Sequence, residues 1–145
     1  MIKQEWQEEA VLSKKEYETL AASRQTLRQF LNFSKKVAGD LGLTPQKYEL
    51  LLAIKGFPDR EYATIGELAE RLAVRHHTAV ELVDRLSAQG MVVRQPSETD
   101  RRQVHVLLTE MGSQVLGKLA VAHRDQWKRL APSLLRDLKK LISES

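Results

Sequence analysis

Cysteine is absent from the 145 residues, which excludes disulfides, thiolate metal sites and any thiol-based redox switch. No apolar run approaches the roughly 20 residues needed to cross a bilayer, so a membrane span is not expected. The N-terminal MIKQEWQEEA is acidic and lacks an apolar core, so it does not read as a secretory signal, and a cytoplasmic protein is the expectation. Internal repeats and low-complexity tracts are missing too. So are the arrangements that carry catalysis: there is no glycine-rich phosphate loop, no Ser-His-Asp set with local context and no Glu-x-x-His pair on a helix. An enzyme is therefore not expected, and no cofactor is implied.

What is present describes an ordinary globular chain, 42% hydrophobic and 29% charged, long enough for one domain with a sizeable core. The net charge of +4 leans only weakly toward an anionic partner. Helical periodicity opens at Ser13, where Ser13 and Glu16 form a capping box and Leu12 and Tyr17 can form a hydrophobic staple. Apolar positions recur from Leu20 to Leu41 and stop at Gly42. So long a helix in so small a protein calls for support along its length, which points to a second copy of the chain. Thr44 and Pro45 start a second helix, ended by Gly56 and Pro58. Thr64 and Glu67 make another capping box, and a minimal strand near residues 63–65 is possible. Val74-Arg75-His76-His77 turns into a helix carrying Ala79, Leu82, Val83 and Leu86 inward, with Gly90 as its stop. MVVRQ and QVHVLL are β-rich and flank a polar loop, the mark of a hairpin with a long tip. Thr109 caps a last long helix, which Pro132 is expected to interrupt before a final amphipathic helix.

Residues 64–109 therefore read as a helix-turn-helix followed by a β-hairpin, a winged helix whose second helix can enter a major groove while the loop reaches an adjacent groove or backbone. The expected class is mainly α, in the order α-α-α-α-β-β-α-α. Residues 75–102 hold five arginines, Arg75, Arg85, Arg94, Arg101 and Arg102, against Glu81, Asp84, Glu98 and Asp100. DNA affinity must then come from placed cations, not from a general basic field.

The sequence resembles the multiple antibiotic resistance regulator (MarR) family of bacterial transcription factors over nearly its full length. The residues that carry the resemblance are LTPQKYELLLAI, IGELAERLAV, VELVDRLSAQGMVVR and DRRQVHVLLTEMG. It implies a single domain over residues 1–145, with 1–42 and 110–145 as dimerisation helices and 44–109 as the DNA-binding unit. It also implies a homodimer binding a palindromic operator in double-stranded DNA, most often as a repressor. In many relatives a small aromatic or phenolic acid releases the DNA. The residues depart from the family where Arg75 replaces a usual N-cap and where His76 and His77 stand in place of small residues.

The candidate DNA-binding residues are Arg75, His76, His77, Thr78, Glu81, Arg85, Asp100, Arg101 and Arg102. His76, His77 and Thr78 fall in the first turn of the recognition helix, where base and phosphate contacts concentrate. Arg75 and Arg85 are placed to meet phosphate. Arg101 is the expected minor-groove arginine, with Arg102 as the partner that Asp100 pairs with to shape the loop. A bland alternative for the wing is a solvated turn, worth under about 1 kcal/mol in ion pairing. Adjacent histidines point about 100° apart on a helix, so a metal site is not expected. Arg24, Arg28, Phe33, Lys36 and Tyr48 are the candidate ligand-binding residues, with Trp6, Phe30 and Trp127 as further aromatic surface, although aromatics at helical spacing more often form core. The competing function is a non-DNA-binding adaptor on a degenerate winged helix.

Overall fold

Side-chain caps set most of the helix boundaries. The structure is a computed structural model that describes residues 11–143. Its elements are α1 (Lys14–Asp40), α2 (Pro45–Lys55), β1 (Tyr62–Thr64), α3 (Ile65–Leu72), α4 (His76–Ala88), β2 (Val92–Pro96), β3 (Val104–Leu108) and α5 (Glu110–Ser143). Ser13 Oγ accepts the Glu16 N–H at 3.1 Å while Glu16 accepts the Ser13 N–H at 3.0 Å, the reciprocal cap that starts α1. Thr44 caps α2 through the Lys47 N–H, and Thr64 with Glu67 caps α3 in the same reciprocal way. The expected staple adds no burial, since Leu12 and Tyr17 are both exposed.

One sequence expectation needs correction. Pro132 does not divide the last helix: α5 runs unbroken from Glu110 to Ser143 with Pro132 inside it. Proline removes one N–H from the ladder and crowds one carbonyl, yet long helical stretches on either side hold the direction. The residue also lies exposed, where water can take the orphaned carbonyl. The short strand β1 does form, and the order becomes α-α-β-α-α-β-β-α. The sheet is antiparallel in the order β1-β3-β2, with Ala63 opposite Val106 and Arg94 opposite Val106 on the other side.

The chain divides into two compact units, residues 33–125 and the remainder from both ends. In the first, Leu50, Leu51, Ile54, Leu68, Val83, Leu86, Val92, Val106 and Leu119 are fully buried and form the core. Each contributes about 1.5–3 kcal/mol by leaving water. The start of α5 is fixed to this unit by Thr109. Its N–H donates to the Met91 carbonyl at 3.0 Å, its hydroxyl donates to the Gly90 carbonyl at 2.6 Å, and its Oγ1 accepts the Gly112 N–H at 3.0 Å. The second unit contains the first part of α1 and the last part of α5, joined by a stack of Phe30 on Trp127 at 3.9 Å. Trp6 lies outside the described residues.

Candidate nucleic-acid interface

The turn between α3 and α4 is tight because Ala73 adopts a left-handed conformation, φ 54°, with the Val74 N–H returning to the Ala69 carbonyl at 3.0 Å. From that turn α4 buries Ala79, Leu82, Val83 and Leu86. The opposite face leaves His76, His77, Glu81, Asp84 and Arg85 exposed, with Thr78 half-buried at its border. The helix begins at Arg75, in extended conformation with no side-chain cap. Ser13, Thr44, Thr64 and Thr109 each cap the helix that follows them, so α4 is the exception among the five described helices. Its first amide hydrogens have no partner along the helix and are directed outward from its N-terminal end, where the helix dipole favours an anion.

The wing is an ordered loop. Ser97, although polar, is buried, and its Oγ accepts the N–H groups of Thr99 at 3.3 Å and Asp100 at 3.1 Å. Asp100 in turn accepts the Arg102 N–H through Oδ1 at 3.0 Å. Asp100 thus shapes the loop through backbone and not through the expected pairing: no ion pair joins it to a guanidinium among the described residues. Both Arg101 and Arg102 remain exposed. Arg102 and His76 line one open groove of about 370 Å³, whose third wall is Thr64, Ile65 and Gly66 at the start of α3. Wing and recognition helix therefore open toward a common space.

Three contributors were not found from sequence. Asp84 on α4 pairs with Arg94 on β2, tying the helix to the root of the wing and removing two charges from the count of free ones. Ser97 organises the loop, and the short polar run Ser97 to Asp100 is the signal that could have located it, since Ser hydroxyls and Asp carboxylates readily close such turns. Arg60 pairs with Glu67 and lies 3.8 Å over the Phe57 ring, supporting the start of α3.

The candidate ligand residues are divided between the two units. Arg24 and Arg28 are exposed on the first part of α1, and Lys36 is exposed further along it. Phe33 and Tyr48 come together, but around another side chain. Buried His123 stacks on Tyr48 at 4.0 Å and meets the edge of Phe33 at 5.8 Å. Its Nδ1–H donates to the Leu119 carbonyl at 2.7 Å, and Nε2 shares a hydrogen bond of 2.8 Å with the Ser34 hydroxyl. Burial pushes the Tyr48 phenol above its ordinary value, and neighbouring Glu49 adds to the shift.

Residues 41–103 match the MarR family profile. The organic hydroperoxide resistance transcriptional regulator of Bacillus subtilis is 30% identical over 123 residues, spanning 85% of this chain and 78% of that protein. The chain belongs to the MarR family. A putative transcriptional regulatory protein for the hcr operon of Thauera aromatica is also 30% identical, with a match that covers 71% of this chain and 61% of that protein. The crystal structure of AbsC, a MarR family regulator from Streptomyces coelicolor, shares the fold with a TM-score of 0.73 at 24% identity, covering 92% of this chain and 93% of that one. A mutant of MarR from E. coli complexed with operator DNA aligns at a TM-score of 0.66 and 21% identity, covering 93% and 98%. MarR-family proteins are transcription regulators, not enzymes, and this chain is a winged-helix member of that group.

Proposed function

We propose that this MarR-family regulator acts as a homodimer on a palindromic operator, with α4 in the major groove and the wing at the flanking minor groove. The observation that carries the reading is the groove shared by His76 and Arg102, which turns helix and wing toward one partner. Duplex DNA suits that partner because the exposed cations stand beside an uncapped helix start. His77, Thr78 and Glu81 are assigned to base edges, where hydroxyl and imidazole meet purine acceptors and carboxylate accepts from cytosine. Arg75 and Arg85 are assigned to phosphates. Arg101 enters the narrow groove while Asp100 holds the loop in shape.

Dimerisation is assigned to residues 1–42 and 110–145, with 44–109 as the DNA-binding unit. The support lies in the apolar side chains left exposed at Leu20, Leu27, Leu31, Leu135, Leu138 and Ile142. Two copies presenting α4 about 34 Å apart match successive turns of a major groove. The proposal also includes release of DNA by a small aromatic acid, with Phe33 and Tyr48 as aromatic surface and Arg24, Arg28 and Lys36 as cations for its carboxylate.

Footprinting on the DNA flanking the gene, followed by anisotropy titration, tests the reading. Two related half-sites are expected. Arg101→Ala should weaken binding by about 1–3 kcal/mol and flatten the dependence of affinity on salt, because fewer counterions are released. Unchanged affinity and salt slope in a variant with wild-type circular dichroism would remove the wing from the interface. Salicylate-class acids should lower operator affinity in the same assay; stabilising the fold without doing so would refute that control.

A further inference from the structure

The four histidines occupy different settings. His123 is buried, with both ring nitrogens bonded. His105 on β3 is half-buried and stacks on Tyr62 at 3.6 Å. His77 is exposed but does not line the groove beside the wing. His76 alone lines it, opposite Arg102. Its neighbours decide what it can do there. From the wing, the charged group facing it is Arg102, while Asp100 is engaged with the loop backbone. From α3 the lining residues Thr64, Ile65 and Gly66 are uncharged, and Glu67 beside them is held by Arg60 and by the Thr64 cap. On its own element His76 is flanked by Arg75 and His77. No carboxylate is among the residues that line the groove.

We propose that this groove seats one DNA backbone phosphate between His76 and Arg102, and that His76 must be protonated to complete the seat, so that acidification tightens operator binding. This rests on the DNA-binding reading above. Arg102 is permanently charged and supplies a fixed cation. An ordinary imidazole is half protonated near about pH 6.5. A phosphate beside a histidine favours its charged form, so seating the phosphate draws a proton onto the ring. The sign follows from linkage: affinity is greatest where His76 is already protonated and falls as pH rises through the value it has on DNA. A hydrogen bond to a charged group is worth on the order of tenfold or more in affinity per seat.

Operator binding by the full chain, measured by anisotropy from pH 5.5 to 8 at constant ionic strength, tests this. The wild type should bind on the order of tenfold or more tightly at pH 6 than at pH 8. His76→Gln keeps a hydrogen-bonding side chain but cannot titrate in this range, and it should abolish most of that difference. His77→Gln should leave the pH dependence in place. If one phosphate is shared, the effects of His76→Gln and Arg102→Ala at pH 6 should be non-additive. Binding that is flat with pH in the wild type, or pH dependence that persists in His76→Gln and disappears in His77→Gln, overturns the proposal while leaving the DNA-binding reading intact. Failure of the wild type to bind any flanking DNA at any pH would overturn that reading instead.

Discussion

Glu67 shows how much one side chain can fix. It accepts the Thr64 N–H at 2.9 Å, gives its own N–H to the Thr64 hydroxyl at 3.2 Å and pairs with Arg60. Burial alone would raise its carboxyl. The Thr64 backbone bond, the Arg60 bond and the Thr64 hydroxyl outweigh that and hold it below the usual carboxylate range. A carboxyl depressed by folding adds stability above its unfolded value, near about 4.3, and loses it as pH falls through the folded value. Glu67→Gln should therefore cost about 1 kcal/mol at pH 7, a typical value for a lost cap. Urea unfolding should show the gap to wild type narrowing as pH falls below about 4; a constant gap would mean that the charge of Glu67 contributes nothing.

At the scale of elements, the critical junction is where α5 leaves the hairpin. A Cβ at Gly112 would lie 2.0 Å from the Met91 carbonyl oxygen, which is backbone and cannot step aside cheaply. Gly112→Ala should destabilise by about 3 kcal/mol or shift α5 off its Thr109 anchor. At Gly117 a Cβ meets nothing within 4 Å, so Gly117→Ala should stabilise by about 0.5–1 kcal/mol through helix propensity. Opposite shifts in the urea midpoint check the pair. The contrast explains what could be read in advance. Ser13, Thr44, Thr64 and Thr109 announce their helices because a cap is settled within four residues. Proline at 132 is a local signal as well, but the extent of α5 is decided by the helix on both sides of it. The Asp84–Arg94 tie and the crowding at Gly112 depend on a hairpin folding back on α4, and residue spacing carries no trace of either. Among the candidate site residues, the inward and outward faces of α4 followed from helical period. That His76 and Arg102 line one groove did not, because it joins a helix start to a loop tip.

For the whole molecule, the apolar side chains that stay exposed on the first part of α1 and the last part of α5 set the expectation. Leu31 at 59%, Leu135 at 56% and Ile142 at 81% exposure are costly to leave in water. Sedimentation at low micromolar concentration should give a species of twice the chain mass. Removing residues 132–145 should cause aggregation or unfolding. A folded species of single mass would refute the dimer and, with it, the two-half-site operator.

Arg75 stands where the other helices have a hydroxyl. A serine or aspartate there would stabilise the isolated protein by about 0.5–2 kcal/mol, since that is what an N-cap commonly contributes. It would also fill, from within, the amide positions that α4 now leaves open, and an aspartate would add a negative charge where the proposed reading puts a phosphate. If α4 meets DNA as proposed, position 75 therefore bears both on the stability of the free protein and on the amides that α4 offers to an anion.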